Sequence, residues 1–333
     1  MQRILLVLFT LFFSLSVSAQ QVLRFATLAP DGSPWMREMR AAAAEVEKQT
    51  NGRVKVRFFP GGVMGNDVVV LRKIRLGQLH GAVLTSSELS TVNPDAPIYS
   101  LPFTFSNWDQ VDRARKEVDP LLASGFEQNG MYMLGASGVG FAYLMSTRPI
   151  KTREDLRSGK LWTPNNDMIA ERTFTKGGVT PIPLPIGDVF TSLQTGMIDT
   201  VANTPSGAVA LQWHGKIRHI MDLPLSYVVA YVVVDLRAWQ RIPAADRTIV
   251  GKIFKSASAR VDSGIRKDDE DAMAAMVKQG LLLTKPSAEE EKYFREVGQA
   301  VIADIESENA ISPKVLAALR RVLTTSPSAT AAQ

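Results

Sequence analysis

The sequence predicts an α/β fold built as two lobes, and three observations support this prediction. The chain has 333 residues, about the length of two domains. Apolar, β-branched runs alternate with amphipathic segments, which is typical of a mostly parallel sheet covered by helices. Because no linker-like stretch separates two halves of the chain, two interleaved lobes and two consecutive domains both remain open.

The first third of the chain predicts three strands and two helices in alternation. Ser33 and Pro34 mark a helix start, with Ser33 as the N-cap and Pro34 in the first helical position. Asp67 is expected to cap the second helix. The strands are expected within residues 22–30, 51–59 and 81–86.

The same pattern returns later in the chain. Residues 188–196, DVFTSLQTG, predict a capped helix that a glycine ends, and residues 197–203 predict a strand after it. Residues 227–236, YVVAYVVVDL, have the composition of a central strand buried on both faces. From Ala244 the periodicity is helical and rich in charge, and residues 326–333 are expected to be a disordered tail.

The N-terminus predicts export by a cleaved signal peptide over residues 1–19. Arg3 precedes the apolar run ILLVLFTLFF, which is short for a membrane span, and Ala19 ends a pattern typical of cleavage sites. The chain has no Cys, which excludes disulfides, thiolate metal sites, a Cys nucleophile and a lipidated N-terminal Cys. We therefore expect the periplasm of a Gram-negative bacterium.

Composition argues against nucleic-acid binding and against catalysis. The net charge is +5, but Lys and Arg are scattered and form no long basic run. The three His residues lie at no metal-ligand spacing from carboxylates, and no phosphate-binding, dinucleotide-binding or serine-hydrolase motif is present. We expect neither an enzyme, nor a cofactor, nor a metal site.

Two short motifs are weak signals of a site. Residues 135–141, GASGVGF, lack the Lys-Ser or Lys-Thr of a phosphate loop, so we expect a loop whose backbone is approached closely. Residues 268–271, DDED, are more typical of a solvated acidic helix face than of a cation site. Two lobes without a catalytic constellation suggest a binding protein whose ligand lies between closing lobes.

The chain resembles the periplasmic solute-binding proteins of tripartite ATP-independent periplasmic (TRAP) transporters, the DctP-like family. The most specific stretches are DVFTSLQTGMID and RPIKTREDL, and the likeness extends over nearly the whole mature chain. It is carried by residues 23–35, 51–65, 74–86, 101–105, 148–164, 181–205 and 231–243.

The resemblance implies a two-lobe periplasmic binding protein fold with mixed sheets, interleaved lobes and a long bridging helix. It also implies a monomeric receptor that delivers a small ligand, mostly an organic acid, to the membrane subunits of a TRAP permease. An accessory periplasmic lipoprotein is a further expected partner. Lobe I is expected to comprise residues 20–146 and 235–275, and lobe II residues 147–234 and 276–325.

Two departures from the family pattern alter the expected ligand. Trp162 stands where most members have the Arg that binds the ligand carboxylate, and Ala142 stands where most have a second Arg. If Trp162 lines the cleft, the ligand is expected to be uncharged, aromatic or hydrophobic, because burying a carboxylate without a cation costs several kcal/mol. Alternatively, Trp162 packs in the lobe core and another Arg, such as Arg172, reaches a carboxylate.

The remaining cleft candidates come from segments that the family uses for its ligand. Asn203 stands at the position of a ligand-contacting Asn in the family. The full set of expected ligand-binding residues is Trp162, Asn203, Trp35, Phe141, Ser86, Ser87, Phe103, Tyr227 and Asn165. A signalling or assembly module that presents the same ligand remains an alternative to a transport receptor.

Overall fold

The computed structural model describes residues 20–324, so the predicted signal peptide and tail lie outside the described residues. The strands are β1 (Gln21–Thr27), β2 (Val54–Phe59), β3 (Gly81–Thr85), β4 (Met131–Ser146), β5 (Trp162–Thr163), β6 (Ile182–Pro183), β7 (Thr200–Asn203), β8 (His219–Met221), β9 (Ser226–Asp235) and β10 (Leu282–Thr284).

The helices begin with α1 (Pro34–Gln49), α2 (Asp67–Arg75), α3 (Ser86–Leu89), α4 (Trp108–Gln128), α5 (Arg153–Arg157) and α6 (Met168–Lys176). They continue with α7 (Val189–Thr195), α8 (Pro205–Ala210), α9 (Leu236–Gln240), α10 (Ala244–Lys278), α11 (Ala288–Ser307) and α12 (Pro313–Thr324). Ser33 caps α1 as predicted, since its side chain accepts a hydrogen bond from the Met36 amide. Asn66, and not Asp67, caps α2, so the predicted cap at Asp67 is wrong.

One mixed sheet runs through both lobes in the order β10-β8-β4-β9-β3-β1-β2, and β7 also pairs with β4. Strand β1 lies between β2 and β3 and runs parallel to both, whereas β9 is antiparallel to β3 and to β4. Lobe I contains β1, β2, β3, β9 and the first part of β4. Lobe II contains β7, β8, β10, the last part of β4, and the small β5–β6 pair.

Strand β4 passes from one lobe to the other. Its residues from Met131 to Ala142 pair with β9, and its residues from Tyr143 to Ser146 pair with β7. The GASGVGF stretch therefore lies within a strand and not in a loop. The register between β4 and β9 shifts between Gly138 and Gly140, which marks a bulge close to the crossing.

Helix α10 bridges the lobes, as the resemblance implies. Near its start, Val250 and Phe254 are fully buried in the core between α1 and the lobe I sheet. Near its end, Met276 is fully buried in the lobe II core with Trp162 and Trp213. Among the helices of residues 20–324, none combines the length and the apolar composition that a membrane span requires.

The chain crosses between the lobes more often than the expected boundaries suggest. The expected lobe II range, residues 147–234, includes most of strand β9, but β9 pairs with β3, and its Tyr231 and Val233 are fully buried in the lobe I core. Helix α12 was assigned likewise, yet Val315 and Leu319 pack in the same core. Both segments contribute apolar faces that only the lobe I sheet and its helices cover.

Candidate functional site

A cavity of about 860 Å³ lies between the lobes, within the size range of ligand pockets. Lobe I contributes the end of β1 with the loop into α1, and the end of β3 with the start of α3. Lobe II contributes β5 with the start of α6, and the end of β7 with α8. Strand ends and helix starts thus meet here from both sides, where ligand sites of open α/β sheets are usually found. Aliphatic side chains cover much of the wall, among them Leu28, Val83, Ile169, Ile186, Val228 and Ile265.

Trp162 lies at this cavity and in the lobe II core at once. Its side chain lines the cavity, but only 3% of the residue surface is exposed, and its ring packs edge-on against Trp213 at 5.3 Å between centroids. Its indole Nε1–H donates to the carbonyl oxygen of Leu184 at 2.9 Å. The Trp therefore offers apolar ring surface to the cavity, while its donor is used within lobe II.

Two other predicted residues carry donors without a partner. The side-chain amide Nδ2 of Asn203 and the indole Nε1 of Trp35 are buried and make no hydrogen bond, and both residues line the cavity. Asn203 is oriented because its Oδ1 accepts from the Thr204 amide at 2.8 Å. A buried donor without an acceptor is costly, so a ligand acceptor at either position would be favourable.

Ser86 and Ser87 line the cavity at the C-terminal end of β3, as predicted. Both are 4% exposed. The Ser86 hydroxyl is 3.1 Å from that of Ser100, and the Ser87 hydroxyl is 3.2 Å from that of Thr85. These hydroxyls already have partners, yet each hydroxyl can donate and accept, so they retain capacity for a ligand.

Phe141 and Tyr227 do not line the cavity. They are cross-strand neighbours in β4 and β9, and their rings lie 5.3 Å apart. Both also pack edge-on against Trp108, at 5.2 Å and 5.6 Å respectively. The three rings form part of the lobe I core, so a direct role in ligand contact has no geometric support here.

Phe103 and Asn165 also lie off the cavity wall. Phe103 has a positive φ of 53°, and its ring lies at a separate small cavity beside Gly298 of α11. Asn165 does not line the cavity, whereas its neighbour Asn166 donates to the Glu88 side chain at 3.3 Å and so joins the two lobes. A turn with two adjacent Asn residues gives no sequence signal of which one faces the other lobe.

Sequence reasoning missed a group of three carboxylic acids with raised pKa values at and beside the cavity. Asp67 and Asp167 line the cavity, one from each lobe, and Glu88 lies buried beside them. Burial, followed by the charge of Glu88, raises the pKa of Asp67 to about 7. Burial likewise raises the pKa of Asp167 and of Glu88. Within residues 20–324, none of these three side chains forms an ion pair.

The basic side chains at the cavity are exposed and already have partners. Of the lining residues in the described chain, only Arg37 and Arg260 are basic. Arg260 pairs with Glu38 at 2.8 Å, and Arg37 donates to the Gly32 carbonyl at 2.6 Å. Arg172, the alternative carboxylate ligand, lies off the cavity wall and pairs with Glu308 at 2.7 Å. The interior wall is thus apolar and acidic.

No metal centre is evident in the part of the chain that the structure describes. Residues 20–324 contain no group of three or more His, Asp or Glu arranged to hold a metal ion. His80 accepts a hydrogen bond from the Arg24 amide through Nδ1 at 3.0 Å, and burial lowers its pKa. This residue is therefore a neutral structural His that joins β1 to the segment before β3.

Comparisons with known proteins agree with this two-lobe binding architecture. The family model of bacterial extracellular solute-binding proteins, family 7 (DctP), matches residues 25–309. A solute-binding protein of Chromohalobacter salexigens is 25% identical over 277 residues, covering 80% of this chain and 81% of the relative. The C4-dicarboxylate-binding periplasmic protein DctP of Rhodobacter capsulatus is 23% identical over 282 residues, covering 83% and 84%.

A solved structure shares the fold. It is a TRAP periplasmic solute-binding protein from Desulfovibrio salexigens with bound orotic acid, and it superposes with a TM-score of 0.82 at 20% identity, covering 91% of this chain and all of that one. The family match spans both lobes and the strands that frame the cavity. The chain therefore belongs to the DctP family, the bacterial extracellular solute-binding proteins of family 7.

Proposed function

We propose that the protein is a periplasmic receptor that captures a small ligand between its lobes and delivers it to the membrane subunits of a TRAP permease. The inter-lobe cavity and the family membership support this proposal. The signal-peptide pattern that ends at Ala19 supports export. On this proposal the receptor acts as a monomer and catalyses no reaction, and an accessory periplasmic lipoprotein is a further partner.

The ligand is proposed to carry no net negative charge and to have a substantial apolar part. The observation that carries this proposal is that the basic side chains lining the cavity within residues 20–324, Arg37 and Arg260, are exposed and already hydrogen-bonded, whereas Asp67 and Asp167 line it without an ion pair. A carboxylate placed there would be desolvated beside like charges, which is unfavourable by several kcal/mol. Trp162, in the position of the family's carboxylate-binding Arg, is proposed to supply part of an apolar wall.

Polar groups on the ligand have complementary partners of both kinds. The unpaired donors of Asn203 and Trp35 suit a carbonyl or hydroxyl oxygen of the ligand. The carboxyl groups of Asp67 and Asp167 suit hydroxyl or amino hydrogens of the ligand. An apolar body with a hydroxyl, amide or amino end would satisfy both sets, and no charge clamp is needed.

A thermal-shift panel of matched pairs tests the ligand proposal. Octanamide and octanoate share an apolar chain, and uracil and orotate share a ring, but only the second member of each pair carries a carboxylate. A ligand at 100 times its dissociation constant adds about 2.7 kcal/mol of stability. The neutral member should stabilise the protein more in at least one pair, and preferential stabilisation by the carboxylates or by succinate would overturn the proposal.

Organic acids are the second candidate ligand class, and the relatives favour it. Of the named proteins, one is a C4-dicarboxylate-binding protein and another holds orotic acid. In this chain a carboxylate would have to draw Arg37 or Arg260 from its present partners at the exposed part of the cavity. Loss of carboxylate binding in Arg37→Gln or Arg260→Gln, with an unchanged melting temperature, would support this candidate.

A further inference from the structure

The two weak motifs of the sequence meet at one point of the fold, beside the cavity that Gly138, Val139 and Asp268 line. GASGVGF supplies the bulge of β4, and DDED supplies Asp269 of helix α10. Asp268 and Glu270 are exposed, but Asp269 is only 5% exposed. The acidic motif is therefore not uniformly solvated, since one of its side chains turns inward to the crossing between the lobes.

Asp269 contacts both the bulge of β4 and the cavity-lining segment of lobe II from Asn203 to Gly207. Its Oδ1 accepts a hydrogen bond from the amide of Ser206, in the first turn of α8, at 3.0 Å. The amide of Phe141 in β4 also hydrogen-bonds to this carboxyl group. Burial raises the pKa of Asp269 to about 6, so at neutral pH it is mostly an ionised acceptor for these N–H groups.

The glycine at the bulge is required by this contact. Gly140 has a φ of +119°, which L side chains rarely adopt. A Cβ at this position would lie 2.2 Å from Oδ2 of Asp269, so any side chain would push the carboxylate away. A second acid of α10 acts in parallel, because Asp262 accepts from the Gly138 amide at 2.6 Å and pairs with Arg115 of α4 at 2.6 Å.

The Asp269 carboxylate is close to cavity-lining residues but does not itself line the cavity. Ser206 and Gly207 line it, and so does Asn203, three residues before Ser206 at the end of β7. The Ser206 hydroxyl also donates to the Val139 carbonyl of the bulge at 3.3 Å. The segment from Asn203 to Gly207 is thus held against β4 and α10 by contacts that a ligand does not replace.

We propose that Asp269 is a positioning residue, which fixes the segment from Asn203 to Gly207 to helix α10 and to the β4 bulge and so sets the spacing of the lobes before a ligand binds. This inference deepens the proposed receptor function and rests on it. It also gives roles to DDED and GASGVGF, as the two partners of one inter-lobe contact. Asp262 holds the lobe I side of the same bulge.

A distance measurement in the absence of ligand tests this role. Because the chain has no Cys, a double label at Lys48→Cys in lobe I and Gln194→Cys in lobe II reports the lobe separation without background. With spin labels on these two Cys residues, double electron–electron resonance should give a broadened or shifted distance distribution in Asp269→Asn. The side-chain NH₂ of Asn opposes one of the two amide donors. Glu270→Gln, exposed and with the same change of charge, should match the parent.

A second variant keeps the test decisive if Asp269→Asn alters folding. Gly140→Ala retains Asp269 but pushes its carboxylate away from the bulge, and should change the distance distribution in the same way. If both variants give the parent distribution while their near-ultraviolet circular dichroism is native, the proposed role of Asp269 is wrong. Because no ligand is used, this outcome is independent of whether the ligand proposal survives the thermal-shift panel.

Discussion

The indole Nε1–H of Trp162 donates a hydrogen bond to the carbonyl oxygen of Leu184 at 2.9 Å. This contact joins β5 to the segment after β6 and fixes the ring against Trp213. The two alternatives considered for Trp162 are therefore not exclusive, because the ring is part of the lobe II core and also part of the cavity wall. With its donor used within lobe II, Trp162 is expected to offer a ligand apolar surface and not a hydrogen bond.

The Trp162 hydrogen bond should be measurable as stability. Trp162→Phe leaves the Leu184 carbonyl without its donor and should lower the free energy of unfolding by about 1–3 kcal/mol. Urea denaturation measures this change. Trp35→Phe is the matched control, because the Trp35 donor has no partner, and it should cost less. Equal losses in the two variants would contradict this role of the Trp162 donor.

Removing Arg53 from its ion pair with Asp246 should destabilise the protein more than removing Lys55 from its pair with Glu47. Asp246 is 1% exposed, and two bonds of 2.9 and 2.7 Å join it to Arg53. Arg53→Ala leaves the Asp246 carboxylate without its ion-pair partner, so it should lower the free energy of unfolding at pH 7 more than the loss of an exposed pair does. Lys55→Ala, in an exposed pair with Glu47, should cost at most about 1 kcal/mol.

The pH dependence of this pair has a definite sign. The hydrogen bond from Arg53 is the largest influence on Asp246 and lowers its pKa. The stability that the pair contributes is therefore present above the unfolded pKa of about 4 and is lost as the pH falls through the lower folded value. Arg53→Ala should show a smaller loss of stability on acidification than the parent, and an unchanged acid limb would contradict the assignment.

Asp67 should affect the pH dependence of stability in the direction opposite to Asp246. Its folded pKa is raised to about 7, chiefly by burial, so the folded state binds more protons than the unfolded state between about pH 4 and 7. Stability from this group should fall as the pH rises through that window. Asp67→Asn removes the titration and should flatten the slope of stability against pH, as measured by urea denaturation. Asp31→Asn is the control, because Asp31 is exposed and paired with Arg40, and it should not flatten this slope.

The local signals in the sequence predict much of the fold, but not the choice between neighbouring residues. Ser33 and Pro34 start α1 as expected, because a cap followed by Pro leaves one conformation strongly favoured. At α2, Asn66 and Asp67 are both capable of capping, and Asn66 does so. Asp67 is displaced into the first turn and faces the cavity, which depends on how α2 packs against the sheet.

The cleft was predicted best where a strand end fixes the direction of a side chain. Asn203 and Ser86 lie at the ends of β7 and β3 and line the cavity. Phe141 and Tyr227 face the core instead. In β9, Ser226 and Val228 face the cavity, so Tyr227 between them faces the other way, and in β4 the bulge between Gly138 and Gly140 shifts the register before Phe141. A shift of one residue exchanges the two faces of a strand, and sequence alternation alone does not reveal it.

We propose above that the protein binds a ligand without net negative charge in a cavity that acidic and apolar side chains line. Native mass spectrometry of the protein purified from its own cell envelope tests it most directly, because the mass of a retained ligand, followed by its release and fragmentation, identifies its functional groups. We expect a single bound molecule with an apolar body and a neutral or amino end. A dicarboxylate, a sugar acid or another carboxylate retained at one molecule per chain would contradict it.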